Sequence, residues 1–374
     1  MKKIKWWHIL LVIIVGFNLS IVLTGKYYIY KTLRYNFAGI DDYKIFDNKT
    51  IHANNYQPWA ISKNYNKKQL SNKLQSKLKE LRSIAFLIIQ NDSIQYEEYW
   101  DGYSDSSYSN SFSMAKTIVS IMTGIAIKEG YIKDVNQPVS DFLPSFAKGE
   151  KAKITIKHLL TMSSGLDWTE SYINPYANVT EAYYGKNLKA LIDKLEVNVE
   201  PGTEWRYKSG DTQVLCFLLE KATGMKLATY TEKRLWNKIG AQYNALWSTD
   251  HKEGYVKAYC CFNSNARDFA RIGKLYLNNG MWLGQRLINS DYIKNSIQKP
   301  QIGNKIIDHY GYQWWLIKHK GEQIYYARGI LGQYIIMVPS KNAIIVRLGH
   351  KRGAKMGNHY EEIPLMIDEV LDEY

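Results

Sequence analysis

The hydrophobic positions divide the chain into strand-rich ends and a helix-rich middle. Near the start, two runs of β-forming residues within 83–100 flank Asn91-Asp92, a pair that favours a tight turn and predicts a hairpin. The next periodic segment, 113–130, repeats apolar residues at the helical spacing and closes with Gly130, a residue that commonly ends helices. The apolar positions of that segment are Ile118, Ile121, Met122 and Ile125.

The same patterns extend along the rest of the chain. Further helices are predicted at 68–81, 156–162, 212–222, 266–277 and 363–371. Strands return near the C-terminus at 312–318, 323–327, 332–338 and 343–348. We therefore predict an α/β (α+β) fold in which one antiparallel sheet is built from both ends of the chain. Helices flank that sheet, and a mostly helical insertion covers about 131–250. Two consecutive domains are the alternative, but no Pro/Gly/Ser-rich linker marks a boundary.

A third pattern is the uncharged run of 20 residues, Trp6–Gly25, that follows a basic segment at 1–5. A helix of this length can cross about 30 Å of hydrocarbon, and Trp and Tyr residues lie at both of its ends. A cleaved secretory signal is the alternative, but there is no A-x-A cleavage site. We expect an uncleaved single-pass anchor at 6–25, a polar approach segment at 26–80 and a main domain at 81–374.

Composition narrows the function classes. The 374 residues are 45% hydrophobic and 22% charged, which is typical of globular proteins and excludes a disordered chain. The net charge is +14, but there is no long basic block, zinc finger or RNP-type motif, so nucleic acid is not expected as a partner. The charge better suits an anionic lipid or cell-wall surface.

The sequence contains little that indicates metal binding or reactive cysteines. The eight His are scattered, no metal-ligand spacing or phosphate-binding glycine loop is present, and no cofactor is expected. Cys216, Cys260 and Cys261 show no disulfide framework, because their number is odd and two of them are adjacent. We expect buried, unreactive thiols.

The strongest local signal for chemistry is an S-x-x-K sequence at the start of the 113–130 helix. Positions i and i+3 share a helix face, so the Lys116 amine can reach the Ser113 hydroxyl. A serine becomes a good nucleophile when a base takes its proton, and a helix N-terminus favours a developing oxyanion. A helix-capping serine is the alternative explanation for a motif this short.

Three further segments follow in a specific order. They are ITIKHLLTMSSGL at 154–166, PGTEWRYKS at 201–209 and YARGILGQ at 326–333. With S-x-x-K, this order resembles the serine β-lactamase and D-alanyl-D-alanine peptidase superfamily, over about residues 83–348. The sequence is most similar to the class C branch, which includes esterases and 6-aminohexanoate-dimer hydrolases.

The resemblance implies a role for each matching residue. Ser113 would be the acylated nucleophile, Lys116 would help to deprotonate it, and Tyr207 would be the general base. The positive charge nearby is expected to lower the proton affinity of Tyr207. Ser209, in the position of a family Asn, would hold Lys116 and the substrate. The backbone N–H groups at Gly329 and Ile330, on an expected edge strand, would complete an oxyanion hole with Ser113.

The third motif departs from the family pattern. Ala327 stands where a Lys or His usually helps to bind a substrate carboxylate, and Arg328 next to it could point away, because neighbouring strand residues face opposite sides. The aromatic loop at 167–184 is a candidate cleft wall, and Asn263 and Ser264 are candidates for the rim of the site.

The sequence thus predicts a membrane-anchored serine hydrolase acting on a small acyl, amide or peptide substrate. The resemblance implies that its catalytic domain lies outside the cytoplasm. A D-Ala-D-Ala peptidase or β-lactamase is one alternative, and a non-catalytic binding module that kept the fold is another.

Overall fold

The computed structural model describes residues 5–374, so all but Lys5 of the predicted basic segment 1–5 lies outside the described residues. Its α-helices are α1 (Trp6–Thr24), α2 (Tyr28–Tyr35), α3 (Asn72–Glu80), α4 (Met114–Lys128), α5 (Ile156–Leu160), α6 (Asn178–Tyr184), α7 (Leu188–Asp193), α8 (Ser209–Thr223), α9 (Leu227–Thr231), α10 (Ala266–Leu277), α11 (Ser290–Ser296) and α12 (Glu362–Glu373). Its strands are β1 (Asn48–Ile51), β2 (Ala60–Ile61), β3 (Ser83–Gln90), β4 (Ser93–Tyr99), β5 (Ser109–Asn110), β6 (Ala245–Ser248), β7 (Phe262–Ser264), β8 (Met281–Trp282), β9 (Gln285–Arg286), β10 (Gln301–Ile302), β11 (Lys305–Ile306), β12 (Trp315–His319), β13 (Glu322–Gly329), β14 (Gln333–Val338), β15 (Ala343–Gly349), β16 (Lys355–Met356) and β17 (His359–Tyr360).

The main sheet has the order β12-β13-β14-β15-β3-β4-β2. Strands from the C-terminal part of the chain pair with the hairpin from the N-terminal part, which confirms a sheet built from both ends. All neighbours in it are antiparallel except β2, which runs parallel to β4. A second sheet, β1-β6-β7-β5, was not predicted. Its strands are two to four residues long, too short for a pattern of alternation to identify them.

The predicted hairpin forms β3 and β4. Asn91 and Asp92 have φ values of 48° and 62°, the left-handed geometry that a two-residue hairpin turn requires. Asn and Asp tolerate this geometry better than most residues, which is why the pair signals the turn in the sequence.

Both faces of the main sheet are covered. Alternate residues of β3 point to opposite sides: Leu87 packs in a core with α4, α8 and α10, and Phe86 packs in a second core with α3 and α12. Burial on both faces explains why β3 is almost continuously hydrophobic rather than alternating. The helices between the hairpin and the last strands form a layer over the first face, and that layer carries the candidate active site.

The segment at 26–80, predicted as a polar approach, is packed into the fold. It supplies α2, α3, β1 and β2, and Ile29, Ile40 and Ile51 are buried in the larger core. In contrast, α1 is almost wholly exposed, and only its Ile21 is buried. Among the described residues, α1 is the one helix long and apolar enough to cross a membrane.

The structure corrects the expectation for two cysteines. Cys260 and Cys261 form a disulfide between adjacent residues, whereas Cys216 is a buried free thiol as expected.

Candidate active site

Ser113 immediately precedes α4, and its side chain makes no capping hydrogen bond to that helix. The residue before it, Phe112, has a φ of 43°, a strained value for a bulky side chain. The Asn110 side chain accepts a hydrogen bond from the Phe112 N–H at 2.9 Å, which helps to hold this turn. The turn leaves Ser113 half-buried at the helix N-terminus, where the partial positive charge of the helix favours an anion.

Lys116 contacts Ser113, as the i, i+3 spacing predicted. Its Nζ donates to Ser113 Oγ at 2.9 Å and to the Tyr259 carbonyl at 2.9 Å. The side chain is 1% exposed, and burial lowers the pKa of Lys116 to about 8 despite the negative charge of Glu170. At pH 7, about a tenth of this amine is therefore unprotonated and able to accept a proton from Ser113.

Tyr207 lies beside this pair, with its ring centroid 5.0 Å from Lys116 Nζ. The pKa of Tyr207 is raised well above its ordinary value, by desolvation of the hydroxyl and then by the charge of Glu170. A hydrogen bond with Ser113 and the charge of Arg328 act in the opposite direction but are outweighed. The expectation of a lowered proton affinity was wrong, because desolvation exceeds the effect of the nearby cations.

Ser209 makes different contacts from those expected. Its hydroxyl donates to Glu170 Oε1 and its backbone N–H to Glu170 Oε2, each at 2.7 Å. The Trp168 indole and the Tyr172 hydroxyl donate to the same carboxylate at 2.6 and 2.7 Å. Ser209 thus fixes Glu170, whose charge acts on both Lys116 and Tyr207. Sequence reasoning missed Glu170, because a single carboxylate in an aromatic loop forms no motif.

Gly329 ends β13, which is an inner strand of the sheet and not the expected edge strand. However, β12 pairs with β13 only as far as Tyr326, so the last three residues of β13 extend beyond it. A Cβ on Gly329 would lie 2.2 Å from the Ser111 carbonyl oxygen. Glycine therefore permits this strand end to approach the turn that carries Ser113, and Ile330 next to it lines the cavity above Ser113.

Two arginines lie near the site. Arg328 stacks on Trp315, with its Cζ 3.3 Å from the ring centroid, and donates to the Asn358 carbonyl. Its charge acts on Tyr207, but Arg328 is not among the residues that line the cavity. Arg352 lines the cavity, although no sequence motif indicates this. The site therefore has positive charge even though Ala327 replaces the family Lys or His.

A largely apolar cavity of about 530 Å³ opens above Ser113. As predicted, the aromatic loop supplies part of its wall, through Tyr172, Tyr183 and Tyr184. Asn263 and Ser264 are fully buried in β7, and Tyr259 and Cys260 line the cavity instead. The opposite wall is unexpected, because it comes from α2 and the residues after it.

The fold and this set of side chains are those of a serine hydrolase with a β-lactamase/transpeptidase-like architecture. The model of the Beta-lactamase family matches residues 70–363. The chain belongs to this family, and it is a serine hydrolase.

The relatives are hydrolases of several kinds. The chain is 25% identical over 295 residues to 6-aminohexanoate-dimer hydrolase from Paenarthrobacter ureafaciens, covering 74% of each protein. A solved structure described as a putative 6-aminohexanoate-dimer hydrolase from Bacillus anthracis is 22% identical, with a TM-score of 0.77 over 91% of this chain and 93% of that one. A family VIII carboxylesterase is 16% identical, with a TM-score of 0.62 over 84% of this chain and 99% of that one. These structural likenesses establish the fold.

Proposed function

We propose that the protein is a membrane-anchored hydrolase that cleaves an ester or amide bond through an acyl-enzyme on Ser113. The observation that carries the proposal is the 2.9 Å contact between Ser113 Oγ and the buried Lys116 amine. A lysine whose pKa falls to about 8 can act as a base near neutral pH, which an ordinary surface lysine cannot.

In the first half-reaction, neutral Lys116 takes the proton of Ser113 while Oγ attacks the substrate carbonyl carbon. The tetrahedral oxyanion is stabilised by the backbone N–H groups of Ser113 and Ile330. Collapse of this intermediate breaks the bond to the leaving group, which takes up the proton. Water then attacks the acyl ester, and its proton passes through Lys116 back to Ser113 Oγ.

Tyr207 relays a proton in this scheme. Burial raises its pKa, so the side chain is a neutral phenol in the resting site, and it passes its proton to the leaving group while it takes one from the Lys116 ammonium. A general-base role for Tyr207 stays a prediction of the family resemblance. Glu170 is a positioning residue, because its charge, after burial, is the next influence on the pKa values of Lys116 and Tyr207 and raises both.

The anchor is the second part of the proposal. The exposed apolar surface of α1 supports its insertion into a bilayer, and the resemblance to extracytoplasmic family members favours a catalytic domain outside the cytoplasm. A polar group within the span, Asn18, is satisfied by the Ile14 carbonyl and by Tyr30, as expected for a segment surrounded by hydrocarbon.

Acid-quenched intact mass spectrometry tests the acyl-enzyme directly. Mixing the full chain with p-nitrophenyl acetate is expected to give an acetylated species with wild type and with Ser106→Ala, an exposed serine, but not with Ser113→Ala. Ester hydrolysis that survives in Ser113→Ala would contradict the proposal.

A second candidate function is cleavage of a peptide that ends in a free carboxylate. It is favoured by Arg352, which lines the cavity and would attract that group. Release of D-alanine from a D-Ala-D-Ala peptide, lost in Arg352→Gln while p-nitrophenyl acetate hydrolysis persists, would identify it.

A further inference from the structure

The cavity above Ser113 has a wall that also belongs to the membrane-proximal part of the chain. Five of the lining residues lie on α2 or directly after it: Thr32, Leu33, Asn36, Phe37 and Ala38. Leu33 is 63% exposed and Phe37 73% exposed, so their side chains form the rim of the cavity rather than its floor.

The position of α2 is fixed relative to the end of α1. The Tyr30 hydroxyl donates to Asn18 Oδ1 at 2.7 Å, across the turn at Gly25 that joins the two helices. On the other side of α2, Tyr28 and Ile29 are buried in the domain core. With α1 in a bilayer, α2 therefore lies at the boundary between hydrocarbon and water.

The 172–176 loop contributes another exposed apolar residue to the lining, Ile173, which is 89% exposed. The ring of Tyr176 in this loop lies 5.2 Å from the Nζ of Lys26, one residue beyond the Gly25 turn. Two segments close to the end of the membrane-spanning helix thus contribute exposed apolar residues to the lining of the cavity.

Exposed apolar side chains bordered by cations are the features of a surface that enters the headgroup region of an anionic membrane. Lys26, Lys31 and Arg34 supply positive charge around α2, and the segment 26–40 contains no acidic residue. A lining that is largely apolar suits an alkyl chain better than a peptide or a sugar.

We propose that the substrate is a membrane-resident amphiphile with a long acyl chain, which enters the cavity from the bilayer between α2 and the 172–176 loop. This inference rests on the proposed function, because it places the acyl carbon at Ser113. The chain lies along Leu33, Phe37 and Ile173, and the ester carbonyl reaches Ser113 at the end of the cavity. The bond formed joins Ser113 Oγ to the acyl carbon, the bond broken is that to the amphiphile's alcohol, and water later releases the fatty acid.

The test uses the full chain in phosphatidylglycerol vesicles with p-nitrophenyl acetate and p-nitrophenyl decanoate. Each methylene of the acyl chain that moves from water into the cavity raises kcat/KM by up to about fourfold. Burial of four methylenes therefore predicts that kcat/KM is more than about 100 times higher for decanoate than for acetate. Part of that ratio could come from partitioning of decanoate into the vesicles. The double variant Leu33→Ser/Ile173→Ser separates the two effects, because the partitioning is the same for every variant.

We expect the double variant to lower the decanoate-to-acetate ratio by at least about tenfold. Ile306→Ser removes a similarly exposed isoleucine from β11 and is expected to leave the ratio unchanged. An equal ratio in wild type and the double variant would overturn the inference and leave the proposed function standing. Failure of wild type to hydrolyse either ester would instead overturn the proposed function and this inference with it.

Discussion

At the level of single residues, the activation of Ser113 depends on the protonation state of Lys116. Burial lowers its pKa to about 8, so the amine is mainly protonated below that pH and mainly neutral above it. We predict that kcat/KM for p-nitrophenyl acetate rises with pH and levels off above about 8. The pH profile measures this directly, and a profile that is flat between pH 6 and 9 would exclude Lys116 as the base. Lys116→Arg, which stays protonated throughout, is expected to lose the rise together with most of the activity.

Glu170 gives a second prediction at this scale. Its charge raises the pKa of Lys116, so Glu170→Gln is expected to move the rise in kcat/KM to lower pH. Glutamine keeps one oxygen that can accept from the Ser209 and Tyr172 hydroxyls, but its NH2 group loses the hydrogen bonds from the Ser209 N–H and the Trp168 indole. Glu150→Gln, an exposed carboxylate paired with Lys153, serves as the control and should leave the pH profile unchanged. A profile identical in wild type and Glu170→Gln would show that Glu170 has only a structural role.

At the scale of secondary-structure elements, the site requires the end of β13 to approach the turn before α4. A methyl group on Gly329 would lie 2.2 Å from the Ser111 carbonyl oxygen, so Gly329→Ala must displace the strand end. Because catalysis is sensitive to displacements of about 1 Å, we predict a loss of about 100-fold in kcat/KM.

Gly273→Ala is the matched control for this change. It overpacks the contact between α10 and β15, where the added methyl would lie 2.8 Å from Ile344, but it is not near Ser113. Thermal unfolding should show that the free energy of unfolding of that variant falls by about 1–3 kcal/mol, whereas its kcat/KM is retained. Equal activity in Gly329→Ala and Gly273→Ala would contradict the role given to the end of β13.

The sequence predicted elements well where a strong period or turn signal was present. The hairpin at Asn91-Asp92, α4 and α10 are examples, since each has local residues that favour one structure. It did not predict the second sheet, which depends on contacts between distant segments, or the bond between the adjacent residues Cys260 and Cys261. In the site, too, a local pattern predicted one contact, because the i, i+3 spacing places Lys116 beside Ser113. The raised pKa of Tyr207 and the role of Glu170 depend on burial, which no local pattern reports.

For the whole molecule, the segment 26–40, which follows α1, is part of the folded domain. A chain that begins at Lys26 keeps Ile29 and Ile40 in the core, whereas a chain that begins at Asp41 removes both. Burial of each such side chain contributes about 1.5–3 kcal/mol, so we predict that the shorter chain unfolds at a lower denaturant concentration. Equal midpoints for the two chains would show that this segment is not part of the cooperative unit.

The two shortened chains, compared with the full chain, also test whether α1 anchors the protein in a membrane. The full chain is expected to stay with membranes after alkaline extraction, and the chain that begins at Lys26 is expected to be released. Release of the full chain under these conditions would contradict a membrane-spanning α1.

Intact-mass labelling of the full chain with a fluorophosphonate, alongside Ser113→Ala and Ser106→Ala, shows whether Ser113 is the activated nucleophile. We predict one adduct on wild type and on Ser106→Ala and none on Ser113→Ala, with labelling that becomes faster as pH rises through about 8. A folded wild-type protein that takes no label, or a Ser113→Ala variant that is still labelled, would contradict Ser113 as the activated nucleophile.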